Sequence, residues 1–424
     1  MADSSQLTDP ISGVTCPFCG LLCDDLVVAG GAGGLTVREN GCGLAVAGFE
    51  RAGAAAAGTP RIGGRSSTLP EAAAEAARLL RDARQPLIAG LATDVAGARA
   101  VGRLADRTGA VLDHMNSAAA VRNLLVLQDG GWITTTLGEV RNRADLLLVA
   151  GGGVVSRFPR FFERCLERRE TLFGDAHQCE VIFVGQGPPA GFAIPGPAPT
   201  VIPCEAPRLG EVFGVLRTLL AGRRIDATSA AGLPLARWTA LAERMKRARY
   251  GVLAWAAADF DFPHAELTIQ SLCELVKELN RDTRFSGLPL GGSDGDLTSD
   301  AVHLWQTGFG GRTSFGQGVP LYDPYHLSAA RLLESGEADL LLWVSSFHAS
   351  RTPPFTAWPT VVLGRPGMTF EREPAVYIPV GTPGIDHTGH LFRTDRVVVL
   401  PLGRLRASDL PSVAEVVTAI ETAL

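Results

Sequence analysis

Cysteine is scarce: eight residues in a chain of 424, far too few for the disulfide framework of a small secreted scaffold. Lysine and arginine form no cluster, no aromatic-interleaved basic stripe appears, and the formal net charge is −5. The electrostatic footprint of a nucleic-acid binder is therefore missing. No uninterrupted apolar run reaches membrane-spanning length. The opening "MADSSQLTDP" has neither the basic start nor the apolar stretch of a secretory signal, so a cytoplasmic protein with no membrane or nucleic-acid partner is expected. The chain also lacks G-x-G-x-x-G, a P-loop Lys-Ser/Thr and H-E-x-x-H, and it shows no short-period repeat.

What is present is an ordinary globular composition, 46% apolar and 20% charged. The chain is longer than one hydrophobic core usually supports, and roughly two to four domains are expected. Residues 11 to about 50 read as a small loop-and-strand module, in which "DLVVAGGAGGLTV" gives two short strands around a Gly-rich turn. The small-residue stretch "RAGAAAAGTPRIGGRSS" suits a surface connector. "TLPEAAAEAARLLRDAR" then opens a helix with Thr68 as N-cap, Pro70 in the first turn and Glu71 as the capping-box acid. Beyond it, continuous apolar runs such as "PLIAGLATD", "ADLLLVAGGG", "EVIFVGQG", "YGVLAWAA", "ADLLLWVSS" and "TVVLG" alternate with helical patterns. That alternation predicts largely parallel sheets with helices on both faces. The expected class is α/β: a cysteine module over 1–60, a first α/β lobe over 61–200, a second over 201–370, and C-terminal strands and a helix over 371–424 completing two interleaved lobes.

The thiols are concentrated at one end. Cys16, Cys19 and Cys23 give C-x2-C-x3-C, and Cys42 follows in "NGCG"; Cys165, Cys179, Cys204 and Cys273 are scattered and read as buried small hydrophobes. A trio plus a distant fourth favours a [4Fe-4S] cube, which takes one sulfur per iron. Zinc usually uses two C-x2-4-C knuckles, and simple packing of empty thiols is the remaining alternative. "AGGGVV" (150–155) reads as a plain strand-to-helix turn, and His387 and His390 of "DHTGH" as part of a polar surface turn. His114 and His348 fall near strand ends, but no neighbouring acid or thiol identifies a dyad, and neither is assigned a role.

Several strings carry a resemblance: "CPFCGLLCDD", "TTTLGEVRNRADLLLV" (134–149), "LWQTGFG" (304–310) and "VYIPVGTPGIDHTGHLFRTD" (376–395). Together they resemble the B-type subunit of formylmethanofuran dehydrogenase, and the fold implied is that of molybdopterin oxidoreductases. The resemblance implies a [4Fe-4S] cluster on the N-terminal cysteines and a molybdenum or tungsten bis-pterin that reduces carbon dioxide to formate. In that family a Cys (or selenocysteine) directly followed by His holds the metal shortly before "LQD", and an Arg stands beside the open position. Such a site needs a soft thiolate and cationic partners for the formate oxygens.

This chain departs from the pattern at each of those places. Counting back from "LQD" (127–129), the Cys-His pair falls at Ala119 and Ala120, and the Arg falls at Gly291 in "LPLGGSDG". The usual small residue and Asn-Pro are replaced by Gly152 to Val155, the expected His by Phe158, and no Cys occurs from 43 to 164. A methyl cannot coordinate a metal, and a glycine cannot neutralise developing charge. The pterin and all catalytic residues are therefore expected to be lost, leaving Cys16, Cys19, Cys23 and Cys42 as the metal candidates. The pattern resembles the B-type member of the formyltransferase/hydrolase complex of methylotrophs. That implies three kinds of partner: an amidohydrolase-like hydrolase (A-type), a C-type protein and a formyltransferase (D-type), which convert formyl-tetrahydromethanopterin to formate through a methanofuran analogue. An active metal–pterin enzyme with a displaced ligand, such as Cys165 or His114, and an iron–sulfur electron relay are the alternatives.

Overall fold

The computed structural model describes residues 9–31, 34–53, 58–167, 170–172, 174–175 and 178–424. The turn at 32–33, residues 54–57 of the small-residue connector and most of the opening decapeptide lie outside them. The chain divides into two compact units: residues up to Ser117 together with Gly292–Leu424 form one, and Ala118–Gly291 form the other.

The first unit is built on a mixed sheet. Among the described residues its order is Leu321–Tyr322, Thr313–Ser314, Val111–Leu112, Pro86–Ala92, Leu340–Ser345, Thr360–Gly364, Val376–Pro379, Arg61–Ile62 and Arg65–Ser66. The five strands from Val111–Leu112 to Val376–Pro379 run parallel, and antiparallel pairs close each edge. Pro86–Ala92 and Leu340–Ser345 are buried at every position, as expected of strands covered on both faces. Helices Leu69–Asp82, Val95–Thr108 and Val413–Ala423 supply Ala76, Val101, Leu104, Val417 and Ile420 to the core on one face. The second unit carries a wholly parallel sheet in the order Thr200–Ile202, Glu180–Val184, Leu146–Ala150, Gly251–Ala256, Phe285–Leu290. Phe213, Trp238, Ile269 and Leu272 pack within its core.

These units differ from the partition expected at 60, 200 and 370. Strand Pro86–Ala92 pairs with Leu340–Ser345, while Leu146–Ala150 pairs with both Glu180–Val184 and Gly251–Ala256. An apolar run reveals that a strand is buried; it does not reveal which sheet the strand joins. The N-terminal module differs too: its strands lead into helix Gly43–Gly53, where composition predicts only loop and strand.

Helix Leu69–Asp82 begins as its sequence dictates. Thr68 Oγ1 accepts from the Glu71 N–H at 3.4 Å, and the Glu71 carboxylate accepts from the Thr68 N–H at 2.9 Å. Replacing Thr68 by Ala removes one half of this reciprocal cap and should lower stability by about 1 kcal/mol in urea titration, with the slope unchanged.

Candidate functional site

In the first unit, strands Ile11–Val14 and Leu26–Gly31 pair antiparallel and present the thiol loop between them. The loop closes on itself through the Cys16 N–H to the Cys23 carbonyl (2.8 Å) and the Leu22 N–H to the Cys19 carbonyl (3.2 Å). Cys42 sits at the start of helix Gly43–Gly53, its carbonyl accepting from the Val46 N–H at 3.0 Å. Phe18 brings helix and loop together: its ring meets Phe49 edge-on at 5.2 Å and lies so close to Gly48 that a Cβ there would be 2.4 Å away.

The sulfurs share one electrostatic neighbourhood. Burial raises the Cys16 thiol well above its ordinary range, and Cys19, Cys23 and Cys42 raise it further. Burial likewise pushes Cys19 up to about 12. Without a metal, the Cys16 and Cys19 thiols are protonated and poorly nucleophilic at neutral pH. Among the described residues, no group of three or more His, Cys, Asp or Glu side chains converges to hold a single metal ion. The four sulfurs lie within electrostatic reach of one another, and thiolates are the donor chemistry of iron–sulfur clusters and of structural zinc alike.

In the second unit, Ala119 and Ala120 occupy the first turn of helix Ser117–Gly130, both half-buried, and Gly291 follows strand Phe285–Leu290. None carries a side-chain donor atom. Beyond strand Leu146–Ala150, Gly151 to Gly153 lead into the four-residue helix Val154–Arg157. The carboxyl end of a parallel strand followed by a helix is where a phosphate ordinarily docks. Here an internal carboxylate fills the place: Asp259 accepts from the Gly153 N–H at 2.7 Å and from Arg157 Nε at 2.9 Å. A Cβ on Gly153 would lie 2.0 Å from the same group, so only glycine admits it. Phe158 is buried beside this turn at 3% exposure. The residues present do not fit a metal-bearing bis-pterin, since ligand atoms are missing and a fixed negative charge stands where a phosphate belongs.

Sequence reasoning missed a polar cluster in the first unit. His114, at the end of strand Val111–Leu112, lies with its Nε2 at 3.3 Å from Asp300 Oδ1 of helix Asp296–Thr307. Asn116 Nδ2 donates to Asp296 Oδ2 (2.9 Å) and Ser293 Oγ (3.0 Å), while Asp296 Oδ1 accepts from the Leu297 N–H at 2.6 Å. Asp113 accepts from the Ala329 N–H at 2.8 Å, with Arg312 Nε 3.8 Å from its other oxygen. His348 stands 3.7 Å from Asp294, a carboxylate 1% exposed and held by Arg351 at 2.9 Å. The acids arrive from far downstream, through a turn whose Gly292, Asp294 and Gly295 all have φ between +54° and +93°. The one local signal was the run of glycines and acids in "GGSDGDLTSD".

Burial disfavours charge on His114, yet Asp300, then Asp296 and Asp113, overcome it and raise the imidazole to about 9. Burial likewise opposes ionisation of Asp300, but His114 outweighs it and holds the carboxyl down at about 2. Asp296 is pushed up by burial to about 6, and burial also raises Asp113. The cluster thus pairs His114 with Asp300, with Arg312 and Arg351 beside Asp113 and Asp294, the arrangement of a buried ionic clamp. His303, between Ser299 Oγ and the Ala98 carbonyl, is driven by burial to about 4 and is a neutral core histidine. The "DHTGH" turn is polar, but Asp386 is buried, accepting from Arg406 Nε at 2.7 Å and from the Thr382 N–H at 2.8 Å.

The fold defines the class: α/β, like that of molybdopterin oxidoreductases. Acetylene hydratase from Pelobacter acetylenicus shares the fold, with a TM-score of 0.62 at 9% identity over 97% of this chain and 69% of that one. Sequence and structure then narrow it. The chain is 27% identical to the B-type subunit of the tungsten-containing formylmethanofuran dehydrogenase 2 of Methanocaldococcus jannaschii over 414 residues, 92% of each protein. It is 29% identical to the B-type subunit of the formyltransferase/hydrolase complex Fhc of Methylorubrum extorquens over 343 residues, 79% of this chain and 88% of that protein. The crystal structure of that complex, FhcABCD with methylofuran, contains a chain that matches with a TM-score of 0.72 and 28% identity, covering 86% of this chain and 98% of that one. No family model matches the sequence. The chain is a homologue of these B-type subunits.

The clamp predicts a pH dependence. His114 is raised above its ordinary 6.5 to about 9, so its contribution is complete below pH 6.5 and lost as pH rises through 9. Asp300 is lowered, so on the acid side its contribution goes only as pH falls from the ordinary 3.8 through about 2. Replacing His114 by Gln should cost about 3 kcal/mol at pH 7 and flatten the decline in melting temperature between about pH 6.5 and 9.5. An unchanged slope would mean that the pair is not ionised.

Proposed function

We propose that this chain is a non-catalytic, structural B-type subunit of a cytoplasmic formyltransferase/hydrolase complex of the methylotroph kind. Its partners are the amidohydrolase-like (A-type), C-type and formyltransferase (D-type) subunits, and the complex takes formyl-tetrahydromethanopterin to formate through a methanofuran analogue. The observation that carries the reading is the donor-free set Ala119, Ala120 and Gly291, at the places where the resemblance puts the metal's thiolate, imidazole and guanidinium. Asp259, seated on the Gly153 N–H, adds support, because it removes an anion site that a pterin phosphate needs. The match to a chain of the FhcABCD structure over 98% of that chain supports the assembly.

Neither displaced ligand is attractive: Cys165 is 2% exposed inside helix Phe161–Leu166, and His114 is committed to Asp300. Cys16, Cys19, Cys23 and Cys42 are the residues that would hold a [4Fe-4S] cluster, and one-electron transfer is the chemistry it supplies when bound. With no second redox centre in this reading, those thiols serve the fold of the N-terminal module.

The test is an anaerobic preparation of the chain co-expressed with its A-, C- and D-type partners. Molybdenum and tungsten should stay below about a tenth of an atom per chain, and the chain alone should not oxidise formate. Omitting it should lower complex-dependent formate release at least about tenfold. Stoichiometric molybdenum or tungsten, or full formate release by the three partners alone, would sink the reading. Iron near four atoms per chain, abolished by Cys19→Ser, identifies the thiols as cluster ligands; no iron identifies them as packed thiols.

A further inference from the structure

One flank of helix Asp296–Thr307 joins the hairpin Gly389–Leu402 in an exposed apolar surface. Leu304 and Trp305 are 51% and 54% exposed, and the indole of Trp305 packs on Phe392 with ring centroids 5.7 Å apart. Phe392 lies directly opposite Val399 in the antiparallel hairpin, and Val399 and Val397 are 40% and 63% exposed. The Phe392 N–H donates to Thr298 Oγ1 at 2.9 Å, which fixes the hairpin to the helix. The patch therefore rides on a rigid frame. A single exposed leucine needs no explanation, but a run of apolar side chains centred on a half-exposed tryptophan has the anatomy of an interface core.

Its rim carries the sign opposite to the chain. Between Gly389 and Arg404 stand Arg393, Arg396 and Arg404 against the single acid Asp395, in a protein whose net charge is −5. Arg393 pairs with Asp395 at 2.7 Å, Arg396 occupies the hairpin turn at φ +60°, and both Arg396 and Arg404 are exposed. A second copy of this chain docked about a two-fold axis would bring basic rim against basic rim, which like charges oppose.

We propose that this patch docks a different polypeptide of the same assembly, one that presents an apolar face ringed by carboxylates. The inference rests on the reading above that the chain has a structural role, and it names the surface that serves that role. The strings "LWQTGFG" and "HLFRTD" thereby acquire a use: they place Trp305 and Phe392 against each other.

The test uses the full chain co-expressed with its A-, C- and D-type partners, with assembly read by light scattering after size exclusion. Trp305→Glu and Val399→Glu should abolish stoichiometric co-elution while the melting temperature of the isolated chain stays within a few degrees. The variant Arg404→Glu changes an exposed side chain outside the clamp and so serves as a second probe should either charge insertion disturb the fold. It should slow association about tenfold at low salt, and the deficit should shrink in about 0.5 M salt. If the unmodified chain joins the complex and the folded Trp305→Glu chain joins it equally well, the patch is not the docking surface. Dimerisation of the isolated chain that Trp305→Glu abolishes overturns it as well. If the unmodified chain fails to associate at all, the proposed structural role falls, and this inference with it.

Discussion

The parallel pairing of Pro86–Ala92 with Leu340–Ser345 is the constraint on which the first unit depends. It joins strands from opposite ends of the chain, so the unit cannot close until the second has been made and the chain has returned, a costly non-local closure. What it secures is the carboxyl edge of the sheet. Ser346 Oγ and its N–H both donate to the Ala92 carbonyl, the Arg365 N–H donates to the Ser345 carbonyl, and Thr382 Oγ1 donates to the Ser346 carbonyl. Strand ends from both halves of the chain are thus stitched together before any ligand is considered. Asp94, immediately after the first of these strands, then caps helix Val95–Thr108 through the Gly97 N–H at 3.0 Å.

At strand ends such as these, α/β enzymes of this architecture place their cofactors, and in this protein the space is largely satisfied from within. In the second unit Asp259 takes the backbone N–H and the arginine that would greet an anion. In the first, His114 and Asp300 neutralise each other, Asn116 ties down Asp296, and Arg351 ties down Asp294. Buried polar groups cannot be left bare in a low-dielectric interior, where an unpaired charge costs on the order of several kcal/mol. Pairing them with each other is the physically consistent way to bury them, and it makes these positions into clamps.

Much of this was legible in the amino-acid order, and the failures share one cause. The capping box at Thr68 and Glu71 and the continuous apolar strands were readable because each depends on neighbours within a few residues. The division of the chain was not, because a strand such as Leu146–Ala150 reads identically whichever sheet it joins. His114 was passed over for the same reason: its partner Asp300 lies far along the chain, and only the left-handed turn at Gly292 to Gly295 delivers it. The helix Gly43–Gly53 escaped notice because its small and apolar residues resemble the connector that follows.

Sequence alone determined which positions carry no side-chain donor atom. No arrangement of the backbone can give Ala119, Ala120 or Gly291 a side-chain lone pair or a charge, so the lack of ligand atoms there is fixed by composition. It also determined that four sulfurs would lie near the N-terminus. Tertiary structure decided which groups face one another: that Cys42 joins the trio through Phe18 and Gly48, that Asp259 closes an anion site, and that Trp305 meets Phe392 on an open surface. Covalent order sets the inventory of functional groups, whereas their pairing is set by long-range packing, which no local pattern encodes.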